Sequence, residues 1–243
     1  MSLWADRHAS TIDVDRFRAH DQFLEQADSY PYEALTGWIA AKHPWALELG
    51  EDEAFGCVTR IVNGRKVSRD LLDSILEIEF LSSQMPMAYR SVIDIGAGYG
   101  RLAHRLTQSF VGTFVHCTDP IAISRRCCEI YLAHRRVSRA MVVAPEDLGN
   151  LTRPIDLAIN VHSWSECSMA EVCGWLDWLC TAKVRSLFIV PHTPSFGTWS
   201  PEKGGGNGPS YVPALEYRGY RMAHHWTGPD VCPRTYSMWE VGT

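Results

Sequence analysis

The sequence predicts an α/β protein built on a doubly wound parallel sheet, with a helical segment ahead of it. Two observations carry this. From about residue 90 short apolar runs (SVIDIG, TFVHCTD, AMVVA, DLAINV, SLFIV) alternate with helical patterns over roughly 99–109, 121–135 and 168–181. Continuous apolar runs of this length, separated by helices, describe parallel strands covered on both faces by crossover helices. The second observation is the glycine-rich turn VIDIGAGYGR at residues 92–101, which joins the first of these strands to its helix.

Along the chain, residues before 90 read as helical and polar. In VSRDLLDSILEIEFL, Ser68 is a candidate N-cap, Asp70 suits the first turn, and Leu71, Leu72, Ile75, Leu76 and Phe80 form an apolar stripe. After Val190, PHTPSFGTWSPEKGGGNGPSYVPALEYRGY is long for a loop and is expected to be a lid or a flexible link. YRMAHHW and YSMWEV, separated by a turn rich in Pro and Gly, read as an antiparallel pair ending the sheet.

Composition bounds the function. The 243 residues are 46% apolar and 21% charged, enough for a full core, and the formal charge of −5 with scattered Lys and Arg gives no footprint for a polyanion. Nucleic acid is not expected as a partner. No apolar run approaches a membrane span and the first 30 residues lack a signal-peptide layout, so no membrane association and a cytoplasmic location are expected. The eight cysteines show no CxxC pair or zinc-like spacing and are expected reduced, several of them in the core.

The glycine turn carries the chemistry. Glycine lets such a turn tighten and brings backbone N–H groups close to a nucleotide-like ligand. The dinucleotide pattern G-x-G-x-x-G fails here, because Arg101 stands three residues after Gly98 and the third glycine, Gly100, comes early. Asp94 ends the strand where a pyrophosphate would lie. Its charge repels a pyrophosphate and complements an ammonium and a sulfonium, which points to S-adenosylmethionine and away from NAD. Asp119, ending the second strand, is the candidate for the ribose hydroxyls, and Glu146 and Asp147 after the third strand can accept from the adenine amino group.

These residues resemble a known family. VIDIGAGYGRLAHRL is similar to the first motif of class I S-adenosylmethionine-dependent methyltransferases, and with GRKVSRDLLDSILE and DLAINVHSWSECS it resembles the sugar O-methyltransferases over roughly residues 56–192. The resemblance implies a Rossmann-like sheet of seven strands with the last strand antiparallel. Residues 1–88 would be an N-terminal extension or lid and residues 89–243 the cofactor-binding domain. It implies that Asp94, Gly96, Ala97, Gly98 and Tyr99 line the methionine and ribose side with Asp119, and that Ser68, Arg69 and Asp70 help cover the ligands. The implied acceptor is a small carbohydrate. A homodimer through the N-terminal helices is compatible with this layout.

Ligands of open α/β sheets lie beyond the strand carboxyl ends at the switch point, here between the first and fourth strands of the alternation. NVHSWSE and VPH end the fourth and fifth, so Asn160, His162, Trp164, Ser165, Glu166 and His192 are expected to face the transferable methyl group. Methyl transfer to a hydroxyl needs an aligned oxygen and a proton acceptor. His162, His192 and Glu166 are the candidate bases. A divalent ion such as Mg2+, held by His162, Glu166 or aspartates, would also acidify a hydroxyl, although no spaced ligand set calls for it. Trp164 and Trp199 are candidate sugar platforms. The same fold without turnover, a cofactor-binding module, is the alternative.

Overall fold

A computed structural model describes residues 13–19, 29–84 and 89–242. Ahead of the sheet lie helix α1 (Tyr32–Lys42), a hairpin of β1 (Thr59–Val62) and β2 (Arg65–Ser68), and helix α2 (Arg69–Gln84). The hairpin corrects the expectation of a purely helical leading segment. Asn63 and Gly64 both have positive φ at its two-residue turn, the backbone twist a tight hairpin needs. Ser68 Oγ then accepts the Leu71 N–H at 3.0 Å and starts α2 as an N-cap.

The alternation that follows is β3 (Ser91–Ile95), α3 (Arg101–Ser109), β4 (Phe114–Thr118), α4 (Ala122–His134), β5 (Ala140–Val142), β6 (Leu157–Val161), α5 (Met169–Thr181), β7 (Ser186–Val190), α6 (Val212–Tyr217), β8 (Tyr220–Trp226) and β9 (Tyr236–Val241). The seven-stranded sheet has the order β5-β4-β3-β6-β7-β9-β8. Strands β3 to β7 pair in parallel, and β9 runs antiparallel between β7 and β8. The order reverses direction between β3 and β6, so the carboxyl ends of these two strands open the crevice at the switch point.

Every residue of β3 is buried, as a central strand covered on both faces must be. One face packs α2 and α3, with Leu72, Ile75, Phe80, Leu106, Val92 and Phe188 in one cluster; the other packs α5, with Ile93, Val172, Leu176 and Ile189 in a second. All eight cysteines are free; five are buried, Cys167 and Cys173 are half-buried, and Cys180 is exposed. No helix among the described residues is long and apolar enough to cross a membrane.

Candidate active site

The turn after β3 folds around its glycines. Gly96 has φ +74°, and a Cβ there would lie 2.2 Å from Ser163 Oγ, so only glycine lets the β6 end approach this closely. Gly98 has φ +55° with open space where a Cβ would stand. The Gly96 and Ala97 N–H groups donate to the Thr118 carbonyl at 2.8 and 3.1 Å. Asp119 completes the anchor, its two carboxylate oxygens accepting the Gly98 N–H at 3.1 Å and the Ile121 N–H at 2.9 Å.

A cavity of about 280 Å³ opens over this turn, lined among others by Asp94, Gly96, Ala97, Gly98, Tyr99 and Asp119. Ile121 and Trp175 line it as well. Trp175, on α5, thus supplies an aromatic wall. Asp94 is 3% exposed, and no hydrogen bond from a described residue reaches its carboxylate. Burial, with Glu77 and Asp119 nearby and Arg101 opposing, raises its pKa to about 7. Arg101 is itself committed to Glu77, at 2.7 and 2.9 Å. Burial likewise raises Asp119 to about 6 against its two backbone hydrogen bonds. Arg101 and Arg125 act on these carboxylates from a distance, but among the described residues neither acid has an ion pair; beside bare glycine backbone, they fit a ligand that brings hydroxyl donors and positive charge.

A second cavity, about 540 Å³, adjoins the first, and His162 and Glu166 line both. His162 directly follows β6 with φ +66°, a left-handed conformation unusual for a non-glycine residue, fixed by its N–H to the Val190 carbonyl at 2.7 Å. Its ring lies 4.8 Å from that of His192, whose Nε2 is 3.6 Å from Glu166 Oε1. Burial, then His192 and Arg234, hold His162 well below the usual histidine range, so its ring is neutral. Partial burial with Arg69 and Arg234 nearby also lowers His192, while burial raises Glu166 to about 7. The three candidate bases therefore converge where the cavities meet.

Other expected site residues stand elsewhere, and the structure corrects their placement. Glu146 and Asp147 sit exposed on a 3-10 turn (Pro145–Asn150) and line neither cavity. Asn160 is saturated as a bracket: Nδ2 donates to the Ile95 carbonyl (2.9 Å) and Ser163 Oγ (2.6 Å), and Oδ1 accepts the Trp164 N–H. Trp164 is wholly buried, edge-on to Tyr211, and has no open face for a sugar. Ser165 is buried and holds the His192 N–H at 3.0 Å, so it positions rather than contacts. Trp199 is half-buried, its N–H bound to the Cys167 carbonyl, outside both cavities. Ser68 donates to Glu51, and Asp70 accepts the Tyr99 hydroxyl, tying the glycine turn to α2 from behind. Of that trio only Arg69 reaches a cavity, the second one. Among the described residues no group of three or more His, Cys, Asp or Glu is placed to share a metal ion.

The chain matches no family model and no curated protein. Its backbone does resemble solved structures. Magnesium protoporphyrin IX methyltransferase from Synechocystis PCC 6803, with bound S-adenosylmethionine, superposes with a TM-score of 0.50 at 16% identity, over 70% of this chain and 77% of that one. A S-adenosylmethionine-dependent methyltransferase from Aquifex aeolicus gives 0.50 at 15%, over 69% and 90%. The chain shares the Rossmann-like fold of these proteins. A riboflavin-derivative dimethyltransferase from Streptomyces davawensis agrees, with a TM-score of 0.52 at 15% identity over 72% of this chain and 58% of that one.

Proposed function

We propose that the chain is an S-adenosylmethionine-dependent O-methyltransferase acting on a hydroxyl of a small carbohydrate. The observation that carries the reading is the neutral His162 at the junction of two cavities, one floored by glycine backbone and buried carboxylates, the other open and polar. The fold shared with methyltransferases that bind this cofactor supports the first cavity as its site. The cofactor would supply an electrophilic methyl group. Asp94, Asp119 and the Gly96–Gly98 backbone would hold its polar ends, and Trp175 and Ile121 its flat apolar one.

Within the chain, His162 accepts the hydroxyl proton on a ring nitrogen, because burial keeps that ring unprotonated at neutral pH. Glu166, near pKa 7 and 3.6 Å from His192, lines the same junction and would orient the sugar hydroxyls there. The carbohydrate acceptor is supported by the likeness of GRKVSRDLLDSILE and DLAINVHSWSECS to sugar O-methyltransferases and by the polar lining of the second cavity. Free and largely buried cysteines suit a reducing, cytoplasmic setting.

The test is release of S-adenosylhomocysteine from S-adenosylmethionine with a panel of sugars. His162→Ala should lower turnover by about 100-fold or more, the usual worth of a general base, while S-adenosylhomocysteine affinity stays within about threefold. Binding of NAD in place of S-adenosylhomocysteine would overturn the cofactor reading. Cofactor binding without methylation of any sugar would overturn the acceptor.

A further inference from the structure

The second cavity is polarised. His162 and Glu166 stand at the end shared with the cofactor cavity, whereas Arg69 and Arg234 line only the second cavity. Arg69 comes from the start of α2 and Arg234 from the turn before β9, far apart in sequence. Asp73 brings them together: its Oδ2 lies 3.4 Å from Arg69 Nε and 2.7 Å from Arg234 Nη1, and its Oδ1 accepts the Tyr30 hydroxyl at 2.6 Å. Asp73 is buried behind the cavity wall and does not line it. Despite burial, Arg234, Arg69 and Arg101 hold its pKa down to about 2, so it is a fixed anion that anchors both guanidinium groups.

Nothing in the chemistry of methyl transfer to a neutral hydroxyl needs two guanidinium groups in the acceptor cavity. A guanidinium has five N–H donors in a planar fork, and the Asp73 contact of Arg234 uses one nitrogen, Nη1. Among the described residues Arg234 makes no other side-chain hydrogen bond or ion pair, although Tyr30 and Tyr236 lie near enough to act on its charge. Its side chain keeps 18% of its surface open. Thr227 and Thr235, which also line the cavity, add short neutral hydroxyl groups, whereas the Thr193 hydroxyl already donates to the Gly206 carbonyl. The fork geometry matches a carboxylate or a phosphate, and a buried anchoring acid preorganises it. At the opposite end Glu166, the one carboxylate among the described residues of the lining, resists a second negative charge, so an anionic acceptor is oriented with its charge toward the arginines and a hydroxyl toward His162.

We infer that the acceptor carries an anionic group, a carboxylate or a phosphate, bound by Arg234 and Arg69 at the end of the cavity away from His162. This rests on the proposal that the second cavity takes a sugar, and makes that sugar a uronate or a sugar phosphate. Calorimetric titration of the full-length protein saturated with S-adenosylhomocysteine separates the possibilities, using D-glucuronate, D-glucose 6-phosphate, D-glucose and the non-sugar hydroxy acid mandelate.

One of the charged sugars should bind at least about tenfold more tightly than glucose, and Arg234→Gln should remove that advantage while leaving S-adenosylhomocysteine affinity within about threefold. Whichever charged sugar wins assigns carboxylate or phosphate. Glucose binding as well as both, no binding of either charged sugar at about 10 mM, or an advantage kept in Arg234→Gln would overturn the inference. Should Arg234→Gln not fold, Arg69→Gln carries the same readout. Mandelate binding more tightly than both charged sugars would keep the anion site and defeat the carbohydrate reading.

Discussion

At the scale of single residues, Asp94 sets function against stability. Its pKa rises from the usual carboxylate value to about 7 because burial removes water and no described residue donates to it. A group whose folded pKa is raised holds extra protons in the native state between its unfolded and folded values. Stability is therefore unaffected below about pH 4 and is lost as pH rises toward 7. The full cost is at most roughly 4 kcal/mol, three pKa units at 1.36 kcal/mol each. Asp94→Asn, similar in shape to the protonated acid, should match the parent in urea denaturation near pH 4 and exceed it by about 1–4 kcal/mol at pH 8. Its affinity for S-adenosylhomocysteine should fall by about tenfold or more. A variant no more stable at pH 8 would mean that another group compensates the charge. The placement of Asp94, Asp119, His162 and His192 at the crevice was legible because each ends a strand or follows one within two residues, where topology alone puts side chains there, whereas Glu166 reaches it from the end of the 3-10 turn after β6. Arg234 was not: VCPRTYS has neither period nor motif, and only the return of β9 beside β7 carries it to the cavity. Trp164 misled for the opposite reason, since a tryptophan after a strand end reads as exposed until the 3-10 turn at Ser163–Glu166 rotates it inward.

At the scale of elements, the turn between β3 and α3 separates two uses of glycine. At Gly98 the space beside the backbone is open, so Gly98→Ala costs only the left-handed conformation, about 1–2 kcal/mol. At Gly96 a Cβ would also strike Ser163, whose Oγ is held by Asn160 Nδ2 and donates to the Ile95 carbonyl. Gly96→Ala must therefore break the bracket joining β3 to β6, adding about 1–3 kcal/mol. Denaturation midpoints should rank parent, Gly98→Ala, Gly96→Ala, and equal losses would show that the bracket yields freely. The boundaries of the other elements from α3 onward were readable within a residue or two, because period and punctuation agree there, but α6 was not: it lies in the stretch read as a lid or link, and its six residues bury only Leu215, too little for a period to show. The β1–β2 hairpin was not read, although Asn63-Gly64 is a strong turn signal, because its strands are four residues each and β1 has only Val62 buried. Short strands with so little buried surface leave almost no alternation to detect.

At the scale of the whole molecule, the leading elements and the sheet share a core. Phe80 of α2 stacks 5.4 Å from Phe188 of β7 and 6.1 Å from Tyr236 of β9, and Leu72, Ile75 and Leu76 lie in the same cluster as Val92 and Leu106. An ionic bracket reinforces it: buried Glu51 meets Arg18 at 3.0 Å and Arg105 of α3 at 3.4 Å, and Asp52 pairs with Arg135 at 2.6 Å. Burial alone would raise Glu51, but Arg18 and Arg105 hold it below the usual range. Each large apolar side chain removed from such a core gives up about 1.5–3 kcal/mol, so losing the four α2 side chains named here removes about 6–12 kcal/mol. That equals the whole stability of an ordinary domain, about 5–15 kcal/mol. The full chain should then unfold in one transition, raised as a unit by S-adenosylhomocysteine, and a fragment starting at residue 89 should show no cooperative melt by calorimetry or circular dichroism. A fragment that melts cooperatively and binds the cofactor product would instead make residues 1–88 a detachable lid, and the shared core would then contribute shape to the site without holding the sheet together.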